Sequence, residues 1–375
     1  MERAKDFFFG LMRRHIWIFM MAAVIVAFFV LRGKRAVMNA VAGVTLLIKQ
    51  VFSYALSPLP FSFAELLCAL AILAALVFIA KAVVDIVRGK EKLKIAYHRF
   101  SFALAVGLTV YALVCLFLGA SYYADNFQDK SGVTARKSSV EELKATEEFF
   151  VDRLIQLEGG VKRDAEGGYA EDRDEIFALA DSVYEGVSAK YSFLGRFPAW
   201  PKPLVISKLM SSLNYTGFYF PFTGEANINT DQPAALLPST IAHELAHQRG
   251  VASEQEANFV AVLACMESGD PAYAYSGALM AFIHLGNALF EADKDAYLDL
   301  YMRLPDTVKV DIERNNAYWA KYKTKAAEVS SVVYDSMLKS YGQELGVKSY
   351  GACVDLLIAY YSVADEETAL PPDEG

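Results

Sequence analysis

The chain has 375 residues, with 36 Lys+Arg against 44 Asp+Glu, 54% hydrophobic content and a mean hydropathy of +0.25. A mean hydropathy above zero excludes a disordered or low-complexity chain. A pI near 5.3 argues against nucleic acid as the principal partner, because phosphate neutralisation needs a basic face.

Charge is unevenly divided. Residues 1–120 hold 14 basic and 5 acidic side chains, net +9, whereas residues 121–375 hold 22 and 39, net −17. The four cysteines, two of them inside apolar runs, make no disulfide framework.

In chain order, residues 16–31 form an apolar run flanked by Arg13, Arg14, Arg32, Lys34 and Arg35, whose long side chains snorkel to headgroups. No small-x-small cleavage site precedes Arg32, so the run reads as a retained anchor rather than a signal peptide. Residues 37–56 are apolar with few charges and read as a helix on the outer membrane surface; a fourth span that inverts the topology is the alternative.

Residues 61–80 carry one charge, Glu65, which with Ser62 fits a capping box at a helix N-terminus. Residues 100–120 carry none, and 21 residues at 1.5 Å each cross a hydrocarbon core of about 30 Å. Between these two spans, segment 81–99 holds six Lys/Arg against two acids and is placed in the cytoplasm. The N-terminus is then inside, and everything after about residue 121 lies outside.

From there the composition becomes that of a water-exposed domain. Residues 1–122 read as the membrane domain, 123–138 as a polar linker, 139–366 as a folded domain and 367–375 as a flexible tail. Ser139-Val140-Glu141-Glu142 opens an amphipathic helix with Leu143, Phe149, Phe150, Leu154 and Ile155 on one side. A second helix is expected over 171–190, and a proline-rich break over 193–203.

The β region is small. Leu204-Val205-Ile206 is a strand candidate, and residues 217–220 pair with 226–229 as a ribbon around 221–224. Helices follow over 239–249, 253–268, 272–291, 293–303, 306–322, 325–344 and 348–362.

The chemistry sits at 243–258. His243-Glu244-Leu245-Ala246-His247 is HExxH, and on a helix residues four apart share a face, so both imidazoles reach one metal ion. Glu244 stands where a carboxylate accepts a proton from a metal-activated water. Pro238-Ser239 suits a helix start and Gly250 a helix stop. Arg249 reads as an ion-pair partner or as a cation at the helix C-terminus.

A third ligand is needed. If Ser253 is an N-cap, Glu256 falls at N3 and is occupied by a capping box, while Glu254 at N1 is free to turn toward the metal. Glu254 is therefore the expected ligand and Glu256 the alternative. Asn258, four residues beyond Glu254, is placed to hydrogen-bond a ligand histidine. A developing oxyanion needs a donor, for which His284, Tyr273 and Tyr275 are candidates.

His243-Glu244-x-x-His247 followed by Glu254-x-x-Ala257-Asn258 resembles the gluzincin arrangement of zinc metallopeptidases, in which Glu-x-x-Ala/Ser-Asp supplies the third ligand. Asn258 stands where gluzincins usually have Asp. Only six residues separate His247 from Glu254, which demands a very tight turn. In gluzincins a strand before the active helix lines the cleft and pairs with an extended substrate; Tyr219 to Asn229 would be that strand.

Over most of its length the chain is also similar to an uncharacterised bacterial membrane family defined only as a domain of unknown function. The likeness runs through Pro60-Phe61-Ser62, residues 217–227, residues 243–258 and Gly346-Val347-Lys348-Ser349-Tyr350-Gly351. It implies a three-span anchor and an HExxH domain.

These readings converge on an α+β, predominantly helical fold: three N-terminal transmembrane helices, then an extracytoplasmic zincin-like domain with a small β region. The expected activity is that of a membrane-anchored zinc metallopeptidase with one Zn²⁺ held by His243, His247 and Glu254, and with Glu244 as general base. His284, Tyr275 and Tyr219 are the expected transition-state or substrate contacts. The substrate is a peptide or envelope protein, the lipid bilayer is a partner, and nucleic acid is not. A non-catalytic zinc-containing receptor or envelope assembly factor is the alternative.

Overall fold

The computed structural model describes residues 2–195, 199–341 and 350–368. It is predominantly helical with one three-stranded sheet. Two compact units divide the chain: Met1–Ile48 with Phe63–Ala124, and Lys49–Ser62 with Asp125–Gly375.

The first unit holds α1 (Glu2–Leu31), the larger part of α2 (Arg35–Leu56), α3 (Phe63–Arg88) and α4 (Lys92–Val114), continued by a π turn at Cys115–Gly119 and α5 (Ala120–Tyr122). α1 and α3 both pack on α4. Most large apolar side chains of α3 and α4 point outward, among them Ile72, Leu73, Phe100 and Phe102. Such faces suit a hydrocarbon solvent, where each helix satisfies its own backbone. The few polar groups pair with one another: Arg14 donates to the carbonyl of His98 (2.9 Å) and to Ser101 (3.0 Å), and the Trp17 indole to Thr109 (2.8 Å).

Among the described residues four helical stretches are long and apolar enough to cross a membrane: Leu11–Leu31, Arg35–Leu56, Phe63–Arg88 and Lys92–Tyr122. Two of them contain the expected spans 16–31 and 100–120, and a third, Phe63–Arg88, begins two residues after the expected start of 61–80. The second in chain order was expected at the membrane surface, yet it meets the same measure of length and composition. It differs from the others in burying Thr45, Lys49, Gln50 and Ser53, polar residues that recur at helical spacing along one side. Val44, Leu47, Ile48, Val51 and Phe52 are exposed.

The second unit begins with the last turns of α2. Lys49 lies over the Tyr219 ring at 5.8 Å, and Ser62 donates to Oδ1 of Asn227 at 2.6 Å. Residues 124–138, expected as a plain linker, contain α6 (Phe127–Ser131), opened by an Asn126–Asp129 capping box, with the Phe127 ring in the core. α7 (Val140–Leu157) starts at the expected Ser139–Glu142 capping box. The helix expected over 171–190 is broken into α8 (Arg173–Leu179), a 3-10 turn and α9 (Glu185–Lys190). Close packing accompanies the break: a Cβ on Gly186 would come within 2.5 Å of the Glu267 carbonyl oxygen.

The sheet has the order β1-β3-β2. β1 (Lys202–Pro203) pairs parallel with β3 (Glu225–Ile228), and β2 (Gly217–Phe220) pairs antiparallel with β3. The ribbon matches the expectation, with Phe220 opposite Glu225 and Gly224 at φ 71° closing the turn. The other strand does not. Val205 and Ile206 are exposed in a turn leading to α10 (Ser207–Ser212), and the pairing lies just before them. Of the apolar run only Leu204 is buried, its N–H bonding to the Ile228 carbonyl at 3.0 Å.

The rest is a helical assembly: α11 (Leu237–Gln248), α12 (Glu254–Met266), α13 (Pro271–Ala292), α14 (Lys294–Arg303), α15 (Asp306–Ala320), α16 (Lys325–Ser340) and α17 (Tyr350–Thr368). These bounds fall within a few residues of the expected ones. Residues 342–349 and 369–375, which include part of two expected helices, most of the Gly346–Gly351 motif and most of the expected tail, lie outside the described residues. α12 is the central helix, buried without interruption from Glu256 to Cys265, and α13 packs against α7, α11 and α12.

Candidate metal centre

α11 ends at Arg249 in a Schellman motif. Gly250 takes a φ of 89°, its N–H bonds to the His247 carbonyl (3.0 Å), and the Val251 N–H reaches back to Ala246 (3.1 Å). The reversal needs only Val251 and Ala252 before Ser253 starts α12, and this is how six residues suffice between His247 and Glu254. Arg249 stays at the helix end, donating to the Leu245 carbonyl and lying 3.9 Å over the Tyr184 ring.

The turn brings His243, His247 and Glu254 together. The two Nε2 atoms are 3.1 Å apart; His243 Nε2 is 3.2 Å from one carboxylate oxygen of Glu254, and His247 Nε2 is 3.6 Å from the other. Ligands at zinc distances of 2.0–2.2 Å in a tetrahedron are separated by about 3.4 Å. The donor atoms therefore stand as the edges of a coordination face, and their chemistry, two imidazoles and a carboxylate, fits a divalent ion.

The electrostatics agree. Burial opposes a charge on His247, but the Glu254 carboxylate outweighs it and holds the imidazole up to about 9. Burial also opposes ionisation of Glu254, and the two histidines overcome it, keeping the carboxyl well below its ordinary range. The cluster is a place prepared for positive charge.

Further contacts orient these side chains. Nδ1 of His247 donates to the Val251 carbonyl at 2.7 Å, so Nε2 is the nitrogen that faces the cluster and that presents a lone pair once its proton is displaced. Tyr334, on α16, donates to Glu254 at 2.5 Å. Sequence spacing could not find Tyr334, because it lies eighty residues downstream on a different helix.

Glu244 is buried beside the cluster, and its Oε2 has no hydrogen-bond partner among the described residues. Burial, opposed by the two histidines, raises its carboxyl to about 7. The first residue of β2 lies against it: a Cβ on Gly217 would come within 2.7 Å of Glu244 Oε1. β2 is an edge strand, so the sheet edge lies alongside Glu244. The Tyr219 ring stacks on His247 with centroids 6.4 Å apart.

Several expectations need correction. Glu256 forms no capping box with Ser253; it accepts the Phe127 and Gln128 amides (3.0 and 3.2 Å) and so anchors α6. Asn258 is buried with its Nδ2 unpartnered among the described residues, so that nitrogen makes no bond to either histidine, and Nδ1 of His247 is met by the Val251 carbonyl instead. Tyr275 points elsewhere, donating to Asp311 at 2.5 Å beside Arg163. Tyr273 donates to the Ile176 carbonyl in the core. His284 is neutral: burial, then the field of His243, pushes it down to about 4. Of the strand expected over Tyr219 to Asn229, only the β2 part lies at the sheet edge, since β3 is paired on both sides.

Neither a curated protein nor a solved structure matches the chain. A family model described as "Protein of unknown function (DUF3810)" matches residues 41–358, which takes in α3, α4, the sheet and the group His243, His247 and Glu254. The chain belongs to that family.

Proposed function

We propose that this chain is a membrane-anchored, zinc-dependent metallopeptidase whose second unit faces away from the cytoplasm. The observation that carries the reading is the convergence of His243, His247 and Glu254 at coordination spacing, with an unpartnered buried carboxylate, Glu244, one residue from the first ligand.

When bound, the ion supplies Lewis acidity, lowering the pKa of a water to about 7 and polarising the scissile carbonyl. The chain supplies the rest. Glu244 takes the proton of the attacking water and returns it to the leaving amine as the C–N bond breaks. Val251 and Tyr334 hold His247 and Glu254 in place. A substrate strand adds beside β2, which among the described residues pairs with β3 alone, and main-chain hydrogen bonds there set the peptide alongside Glu244. Tyr219, stacked on His247 at that edge, and the neutral His284 are the nearest candidates for contacts to the substrate.

The orientation rests on chain geometry. The α3–α4 connection carries Arg88, Lys90, Lys92 and Lys94, which favours the cytoplasmic side. Residues 49–62 and 125–375 belong to one compact unit although α3 and α4 intervene. Two crossings return the chain to the side it left, so this grouping supports both helices as spans, whichever way α2 runs. The buried polar side of α2 favours a helix lying at the interface.

The test is metal analysis and peptide-library cleavage by the full chain and its Glu244→Gln variant. The reading requires one zinc per chain in both proteins and cleavage by the unaltered chain alone.

A further inference from the structure

We propose that the site trims a peptide from one free end rather than cutting within it, because Tyr215, Ser330 and Tyr334 close the space beside β2 on one side of Glu244. The inference rests on the metallopeptidase reading, with a substrate strand beside β2, and names the substrate class as the free terminus of an extended peptide.

Three observations carry it. The first is the place of the base along the chain. Alternate residues of an extended segment share a side, and here three of them address the cluster. The Tyr219 ring stacks on His247, a Cβ on Gly217 would meet Glu244 Oε1, and the Tyr215 ring meets Tyr334, which donates to Glu254. Glu244 therefore stands opposite Gly217, in the middle of 215–219, and the bond to be cut lies there.

The second is a wall. Tyr215 is joined to α16 twice: its ring meets that of Tyr334 edge-on, with centroids 5.8 Å apart, and its hydroxyl accepts from Ser330 Oγ at 3.1 Å. Tyr334 reaches on to Glu254 at 2.5 Å. Contacts thus run from α12 through α16 to the segment that leads into β2. A strand lying beside β2 and over the cluster meets this wall on the Tyr215 side. Two residues of extended chain span about 7 Å, so about one or two substrate residues fit between the bond and the wall.

The third is the backbone. The Tyr215 N–H donates to the Met210 carbonyl at 3.0 Å, and its carbonyl accepts from Asn229 Nδ2 at 2.8 Å. Asn214, at a φ of 65°, bends the chain there toward α10. Both main-chain groups of Tyr215 are engaged, so a substrate's ladder stops short of it. On the other side of Gly217, β2 continues through Phe218, Tyr219 and Phe220, all partly exposed. The long part of the peptide lies on that side.

A chain that continues in both directions collides with Tyr215 and α16, whereas a chain that ends there does not. Tyrosines receive either terminus, a carboxylate through the hydroxyl or an ammonium through the ring face, and the experiment separates the two.

The full zinc-loaded chain in detergent is given one extended peptide with both ends free, with the amino end acetylated, with the carboxyl end amidated, and with both blocked. Mass spectrometry reads the products. The expected result is removal of one or two residues from a single end, lost when that end is blocked and kept when only the other is. Loss on acetylation assigns the amino end, and loss on amidation the carboxyl end. Tyr215→Ala should move the cuts inward and admit the doubly blocked peptide, a change of product that a merely structural role for Tyr215 would not give. Calorimetric binding to zinc-loaded Glu244→Gln protein repeats the comparison without turnover, and the peptide with the required end free should bind more tightly. Internal cuts in the doubly blocked peptide by the unaltered chain, or equal binding of free and blocked peptides, overturn the closed end and leave the metallopeptidase standing. No cleavage of any form by the zinc-loaded chain overturns the metallopeptidase and the trimming together. Should Tyr215→Ala fail to fold, the products of the unaltered chain decide alone.

Discussion

Nδ1 of His247 lies 2.7 Å from the carbonyl oxygen of Val251, a carbonyl aimed at that ring by the left-handed Gly250 that ends α11. One turn thus stops the helix, fixes the tautomer of one ligand and delivers Glu254 to the other side of the cluster. A side chain at Gly250 strains this φ by about 1 kcal/mol. For Gly250→Ala we predict retained helical content and zinc affinity lowered about 10-fold, read by competitive titration against a chromophoric chelator.

Tyr334 tests whether α16 takes part in the cluster. Tyr334→Phe removes the hydrogen bond to Glu254 and keeps the ring that meets Tyr215 edge-on. Affinity for zinc should fall by about 10-fold with the thermal midpoint of the zinc-free protein nearly unchanged. Unchanged affinity would reduce Tyr334 to a packing residue.

The general base is tested through its neighbour as well as directly. At Gly217 an added methyl collides with Glu244 Oε1, so Gly217→Ala should keep stoichiometric zinc while peptide cleavage falls, approaching the about 100-fold or greater loss expected of Glu244→Gln. Steady-state rates on one library-derived peptide, normalised to bound zinc, decide it.

Much of this was legible before any coordinates. The grouping of His243, His247 and Glu254 was legible in helical periodicity and in Ser253 as N-cap, although the capping box that was to occupy Glu256 does not form. What sequence could not show were partners brought by tertiary contact. Glu256 looked like a local capping residue and instead takes two amides of α6, 128 residues away or more. Tyr275 looked like a donor near the site and serves a buried Asp311. The run 204–206 looked like a strand because its side chains are apolar, and apolarity does not distinguish a sheet interior from an exposed turn, where Val205 and Ile206 lie while Leu204 alone is buried. The same ambiguity applies to α2, whose length satisfies a span while its polar side is packed in protein.

Glu147 offers a test of the core away from the cluster. It is fully buried on α7, neither oxygen has a hydrogen-bond partner among the described residues, and burial raises its carboxyl well above the usual range. The folded state holds this proton more tightly than the unfolded chain. Its stabilising contribution is therefore present below the ordinary carboxylate pKa of about 4.3 and is lost as pH rises from there through the elevated folded value. Glu147→Gln should raise the thermal midpoint at neutral pH by about 3 °C, and the gain should shrink as pH falls toward the ordinary carboxylate range. A gain that is constant with pH would contradict the assignment.

The most direct measurement is zinc content by mass spectrometry of the purified full chain, its Glu244→Gln form and its His243→Ala form, with library cleavage recorded on the same samples. The account predicts one zinc per chain in the first two, loss of zinc in the third, and cleavage in the first alone. Equal zinc content after His243→Ala, or cleavage that survives Glu244→Gln, would contradict it.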